Sequence, residues 1–435
     1  MNAEPFHIEI VDTAAYRGAQ LASFRAMLRE VLAGNAFYRR KLAAAGLESV
    51  GAIRTWDDFA RLPCTRKGEL VADQEAHPPF GTFLTYQLER YTRLHQTSGT
   101  TGNPLRWLDT EASWAWWGRC WATIYRAAGV GRGDRIFFAF SFGPFIGFWA
   151  AWEGARQIGA LTLSGGAQSS EQRLAALLDL DATVVCCTPS YALHLAEVAR
   201  ATGLAERLHD STVRALIVAG EPGGSIPATR QRIEAAWGAA VYDHPGATEI
   251  GAYGYTCRAQ TGVHLNEAEF IVEVLTPGGD NPSPHDDGEL VITNLGRWGS
   301  PVIRYRTGDH VRLLRQPCVC GRTFTRLDGG VIGRIDDMLI VRGVNVYPSA
   351  IENIIRAVPE IDEYCIELRR DGELDELTIL IEPAAGASAF GDVLSGHVAQ
   401  LCEHRLSLRT TVTAVAPGAL PRWELKARRV RDLRQ

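Results

Sequence analysis

The sequence lacks a long apolar run and a strong excess of either charge. Its best hydrophobic stretch, Ile136 to Trp152, is interrupted by Ser141, Gly143, Pro144 and Gly147, so nothing approaches the roughly 18 to 20 residues of a membrane-crossing helix. The opening MNAEPFHIEI has neither the basic region nor the apolar run of a secretory leader. The expectation is a cytoplasmic protein with no membrane partner. Lys and Arg number 45 against 50 Asp and Glu, a net charge of -5, which provides no field that would make nucleic acid the default ligand. Internal repeats and low-complexity tracts are absent too. A disulfide framework is disfavoured, because the nine cysteines are an odd count in a 435-residue chain and fit reduced thiols or metal ligands better.

What is present reads as an α/β protein. The spacing of Leu21, Phe24, Met27, Leu28, Val31, Leu32 and Phe37 predicts helix from Thr13 to about Gly46. Short apolar strands follow at DRIFFAF (134–140), ATVVCC (182–187), VRALIVA (213–219) and 239–242, with helical stretches at 170–180 and 191–202 between them. Strands alternating with helices imply a parallel sheet. After Phe270 the pattern changes to strands and turns (FIVEVL, GELVITN, VIRYRTGD, VRLL), which predicts an antiparallel or barrel-like part. A second unit is expected from Asp336, after Gly329, Gly330 and Gly333. It has a strand (MLIV), a helix opened by a capping-box match at Ser349 to Glu352, a strand (LTILIEP), a helix near 393–406 and a last strand, TVTAV. The expected domains are therefore residues 1–335 and 336–435, a length of about 100 residues for the second being ordinary for one domain.

The most informative local string is Thr97-Ser98-Gly99-Thr100-Thr101-Gly102. Small hydroxyl residues and glycines let N–H and O–H groups converge on phosphate oxygens without obstruction. No Gly-Lys-Ser/Thr follows, which removes the Walker-type reading. Read alone, the string is also compatible with a simple turn. Downstream come Gly220-Glu221-Pro222, Asp243-His244-Pro245-Gly246-Ala247-Thr248-Glu249, Tyr305 to Asp309, Gly333 to Asp337 and Arg342 to Pro348. In this order the strings resemble the adenylate-forming superfamily of acyl-CoA synthetases, from about Thr97 to Lys426. Thr188-Pro189-Ser190-Tyr191, Arg342 to Ser349 and Cys318 to Thr323 mark a resemblance to its phenylacetate-CoA ligase family.

That resemblance implies a reaction and assigns roles. A carboxylate is a poor electrophile; attack on the α-phosphorus of ATP, with pyrophosphate leaving, makes it a mixed anhydride, and catalysis is then mostly positioning and charge neutralisation. Residues Thr97 to Gly102 would hold the β- and γ-phosphates. Gly220, Glu221, Pro222, Asp243 and His244 would line the nucleotide site. Thr248 and Glu249 would meet phosphate and Mg2+, a hard cation that takes carboxylate oxygen. Asp309 would accept both ribose hydroxyls, with Arg334 on ribose or phosphate. Lys426 would bridge the acyl carboxylate and the α-phosphate, a task suited to a flexible point charge. Asp336 matches a hinge, and Gly343 a backbone approach to the pantetheine arm of coenzyme A. Rotation of the small domain would remove Lys426 and present CoA, whose thiolate attacks the anhydride. No protein nucleophile is needed.

Cys257, His264, Cys318 and Cys320 form a second constellation. From spacing alone they read equally as isolated residues or as a closed tetrahedral site for structural Zn2+, and the resemblance favours zinc. Cys186 and Cys187 lie in an apolar strand and read as core. The resemblance also implies an aromatic acid, with Phe142, Phe145, Phe148 and Trp149 as pocket candidates beside Ala219, Gly220, His244 and Gly246, although an aromatic segment reads as core as well. Pro245 stands where the family has an aromatic residue that stacks on adenine. In that reading the preceding His244 would meet a ring substituent, which favours an amino- or hydroxybenzoate over phenylacetate. Two acceptors stay open: CoA, or a carrier-protein thiol or amine in natural-product biosynthesis. A homodimer is compatible with the sequence.

Overall fold

The computed structural model describes residues 13–97, 104–341, 344–371, 374–384, 386–406, 408–423 and 427–434. Serine 98 to Gly102, Gly343 and Lys426, all among the expected site residues, lie outside that set. The chain is a mixed α/β fold, with a large N-terminal domain containing a curled β-sheet and a smaller C-terminal α+β domain. By internal contacts it divides into two compact units, residues 1–166 with 244–330, and residues 167–243 with 331–435. This grouping joins 167–243 to the C-terminal segment instead of dividing the chain at 335/336.

In the first unit the expected N-terminal helix is two helices, Thr13–Gly34 and Ala36–Ala44, separated by Asn35, whose side chain caps the second by accepting from Tyr38 N. Helix Glu111–Ala127 buries Trp114, Trp116, Trp117 and Trp121. It crosses helix Ile146–Ile158 at glycine: a Cβ on Gly154 would lie 2.4 Å from Trp121 Cβ, so a larger residue there would push the helices apart. Strands Arg135–Phe138 and Leu161–Ser164 pair in parallel. The predicted antiparallel part is a six-stranded sheet in the order Phe270–Leu275, Asp287–Asn294, Tyr305–Leu314, Arg326–Arg334, Val263–Leu265, Gly254–Thr256. The separate runs VIRYRTGD and VRLL form the single strand Tyr305–Leu314.

In the second unit Val184–Cys187, Ala215–Val218 and Ala240–Asp243 pair in parallel. The first two are wholly buried, which is why they read as unbroken apolar runs. Helices Ser170–Asp179, Pro189–Ala201 and Pro227–Trp237 alternate with them. The C-terminal sheet has the order Thr411–Ala414, Leu374–Pro383, Ile361–Asp371, Val430–Asp432. Its core joins Ile351, Ile354 and Ile355 of helix Pro348–Arg356 to Ile366, Ile379, Ile381 and Val398. The expected capping box at Ser349 does not form. Pro348 occupies the first helical turn, where its fixed φ starts the helix without a side-chain cap, and Ser349 Oγ donates instead to Ile332 O.

Candidate functional site

The first unit brings together the Thr248–Glu249 turn, an aromatic cluster and a cysteine–histidine cluster. The turn is held from beneath by a group the sequence does not advertise. Arg297, with no side-chain exposure, donates from Nε and Nη2 to the two oxygens of Asp109 at 2.8 and 2.7 Å, and Asp109 is equally buried. Arg297 Nη1 donates to Thr248 O at 2.6 Å and to Glu249 O at 3.4 Å. The guanidinium also faces Trp107 and Trp117, 5.1 and 5.4 Å from the ring centres. A fully neutralised cation thus fixes the backbone of the two residues expected to meet phosphate and metal. Glu249 is buried, with Lys67 Nζ 3.6 Å from its Oε1. Lys67 is a second group that motif reading missed, since no recognisable string surrounds it.

Thr97 is buried and pairs with Leu105: its N–H donates to Leu105 O, and its Oγ1 accepts from Leu105 N, both at 3.0 Å. Gln96 N donates to Pro144 O at 2.9 Å, tying strand Tyr91–Gln96 to the aromatic segment. There Phe140 and Phe148 stack at 3.9 Å, Phe142 lies 4.5 Å from Trp149, and Trp121 meets Phe148 at 6.3 Å and His244 edge-on at 4.4 Å. Phe145 and Trp149 are exposed. His244 is buried, and its Nδ1 lies 2.8 Å from Gly254 O. A carbonyl only accepts, so Nδ1 carries the proton and Nε2 is left as an acceptor. Burial lowers the His244 pKa to about 4, against the opposing pull of the Gly254 hydrogen bond. Nε2 faces Gly246, where an added Cβ would lie only 3.0 Å away. Asp309, in strand Tyr305–Leu314, takes the Thr307 hydroxyl on its backbone N–H at 2.9 Å.

Cys257 follows strand Gly254–Thr256, and His264 sits in Val263–Leu265, the paired strand of the same hairpin. Cys318 and Cys320 come from the loop before Arg326–Arg334, whose Arg326 pairs with His264. The four ligand atoms lie within 4.8 Å of one another. Cys257 Sγ and Cys318 Sγ are 3.8 Å apart, and Cys320 Sγ is 3.5 Å from His264 Nε2. Ideal tetrahedral zinc requires about 3.8 Å between two sulfurs and about 3.5 Å between sulfur and nitrogen, so the residues fit the ion. Burial raises the Cys257 thiol to about 12. Cys318, despite a burial effect in the same direction, is held at about 7 by hydrogen bonds from Thr261 and the Cys320 backbone.

The second unit places Ala219, Gly220, Glu221 and Pro222 after strand Ala215–Val218, with Gly220 at φ +97, a conformation glycine adopts without strain. Asp243 ends the neighbouring strand and accepts from Ser225 Oγ. Arg334 forks onto Asp336 at 2.8 and 3.0 Å, so the expected ribose ligand and the expected hinge residue are paired with each other. Glu221 is drawn to two backbone amides, Ser190 N and Ala427 N, each at 2.7 Å.

Residues 343–434 match the AMP-binding enzyme C-terminal domain family. The chain is 33% identical over 421 residues to the phenylacetate-coenzyme A ligase of Thermus thermophilus, covering 92% of each protein. It is 32% identical to that of Escherichia coli, covering 98% of this chain and 97% of the relative. Among solved structures, 2-hydroxyisobutyryl-CoA ligase in its postadenylation state with 2-HIB-AMP superposes with a TM-score of 0.93 at 30% identity, over 99% of this chain and 94% of that one. The same ligase in its thioesterification state, with 2-HIB-AMP and CoA, gives 0.73. Fold and similarity together define an enzyme, an AMP-forming acid–thiol ligase. The chain belongs to the adenylate-forming superfamily, among its acyl-CoA ligases. Among the described residues, no helix is long and apolar enough to cross a membrane.

Proposed function

We propose that this protein is an aryl-CoA ligase of the phenylacetate-CoA ligase family, which converts an aromatic acid and ATP to an acyl adenylate and pyrophosphate, and then transfers the acyl group from AMP to the CoA thiol, forming the thioester and releasing AMP. The observation that carries the reading is the buried His244, whose Nε2 is an acceptor at the edge of the Trp121, Phe140 and Phe148 cluster. Such a group suits an aromatic acid with an amino or hydroxyl donor, because a polar site left unpaired by an analogue costs about 1–3 kcal/mol. Glu249 would take Mg2+ and Thr248 the phosphate, on a backbone fixed by Arg297. Asp309 would hold the ribose, and Lys426 would serve adenylation. Residues 336–435 would turn about Asp336 between the half-reactions, relative to residues 1–335. Cys257, His264, Cys318 and Cys320 would hold a structural Zn2+, with four protein ligands and no open position.

The test is acid-dependent exchange of pyrophosphate into ATP over a panel of acids, followed by CoA-dependent thioester formation. Amino- and hydroxybenzoates are expected to support both, with His244→Phe losing selectivity for the donor. Exchange with small aliphatic hydroxy acids alone would refute the aromatic reading. That outcome has its own support, the similarity to a 2-hydroxyisobutyryl-CoA ligase. Exchange without thioester formation would favour a carrier-protein thiol or an amine as acceptor.

A further inference from the structure

Arg422 and Ala427, which flank Lys426 in the chain, each make hydrogen bonds within the second unit. Upstream, Arg422 donates from Nε to Glu197 at 3.1 Å, and from Nη2 and Nη1 to Glu382 at 2.6 and 3.2 Å. Downstream, the amide of Ala427 donates to Glu221 Oε2 at 2.7 Å. Arg422, Glu382 and Ala427 belong to the C-terminal segment, whereas Glu197 and Glu221 belong to 167–243. The two carboxylates therefore hold the C-terminal segment at two points, Arg422 and Ala427.

Glu221 is also held from its own side of the contact. Its Oε1 accepts from Ser190 N at 2.7 Å, at the second position of helix Pro189–Ala201. The neighbouring amide of Tyr191 is already taken by the Thr188 side chain. Charge at a helix N-terminus is favoured by the orphan amides and the helix dipole, so one oxygen is held by the helix and the other accepts from Ala427 N. Two of the strings that mark the sequence, Thr188 to Tyr191 and Gly220 to Pro222, thus converge on one carboxylate. The bond goes to backbone: the amide of Ala427 is one rigid peptide plane from the Cα of Lys426, which a side-chain contact elsewhere on the loop would not control.

We propose that Glu221 is a positioning residue that docks the lysine loop for acid adenylation and is released when CoA is acylated. It acts through the Ala427 amide and not on the nucleotide itself. The inference rests on the reading of Lys426 as the adenylation lysine, and it separates Glu221 from the nucleotide role that its motif implies.

The decisive variant is Glu221→Gln in the full chain, with the half-reactions measured apart. Glutamine keeps one acceptor oxygen and turns an amide donor toward the other N–H, so one charge-assisted bond is lost. Pyrophosphate exchange at saturating ATP and acid should fall by about 10- to 100-fold, with the KM for ATP and the rate of thioester formation from supplied aryl adenylate each within about two-fold of wild type. Equal loss in both halves, a rise in KM with kcat unchanged, or unaltered exchange would overturn the proposal. If Glu221→Gln does not fold, semisynthesis with lactate in place of Ala427 removes the amide proton while leaving the Glu221–Ser190 bond intact, and the same split is required of it. Lys426→Ala distinguishes this failure from failure of the parent reading. Exchange that survives Lys426→Ala sinks the catalytic lysine itself, whereas exchange lost in Lys426→Ala but intact in Glu221→Gln sinks only the dock.

Discussion

Replacing Asp109 by Asn isolates the buried pair beneath the Thr248–Glu249 turn. The substitution is nearly isosteric, keeps one acceptor oxygen and leaves Arg297 charged, with no exposed surface through which to reach water. Removing one partner of a buried pair costs about 3–5 kcal/mol, because the other charge stays uncompensated. Arg297 retains the carbonyls of Thr248 and Glu249 and the faces of Trp107 and Trp117. Contacts of the latter kind are worth about 0.5–2 kcal/mol each, which places the loss near the lower end, about 3 kcal/mol. For a unit of roughly 250 residues, 1 kcal/mol moves Tm by about 2–4 °C, so the first unit should melt about 6–12 °C lower. Calorimetry reads the shift, and pyrophosphate exchange at a temperature where the variant is folded reads the consequence for Glu249. Exchange should fall by more than the folded fraction does. The double replacement Asp109→Leu with Arg297→Met removes both charges and should be more stable than Asp109→Asn. A Tm shift under about 2 °C for Asp109→Asn, or a double variant less stable than the single, would refute the account.

Two further outcomes are expected. Protein prepared with zinc should hold about one equivalent per chain, and Cys318→Ser should lower both zinc content and Tm; less than about half an equivalent, with stability unaffected by Cys318→Ser, would rule the site out. Stability should also depend on acid through His244. Its folded pKa, about 4, lies below the ordinary 6.5, so the unfolded chain binds the proton first as pH falls. The contribution is fully present above about pH 6.5 and is lost progressively down to about pH 4, to a total of about 3 kcal/mol. Urea titrations of His244→Gln across that range should show a shallower slope than wild type, and identical slopes would count against burial as the cause.

How much of this was legible in advance depended on how local the signal is. The buried parallel strands Val184–Cys187 and Ala215–Val218 announce themselves as continuous apolar runs, and helix Pro348–Arg356 by its spacing of isoleucines. Spacing alone leaves the four zinc-ligand candidates open and the family resemblance favours them; the hairpin and the loop before Arg326 bring their ligand atoms together. Strand Ile361–Asp371 went unread because its alternation is broken by charged residues, among which Glu363 and Glu367 are buried through pairing with arginines.

The sequence by itself determined the class of chemistry, because the strings that carry the superfamily resemblance are short, depend on residue type within a few positions, and recur in a fixed order along the chain. Only the tertiary structure decided what those residues lean on. Asp109 and Arg297 are 188 positions apart, and Glu221 and Ala427 are 206, so neither pairing leaves a periodicity or spacing to read. The same holds for the His244 tautomer, set by a carbonyl ten residues away across a turn. Motifs report which groups are available; burial and long-range hydrogen bonding choose which of them are fixed, which are neutral, and which are left free to meet a ligand.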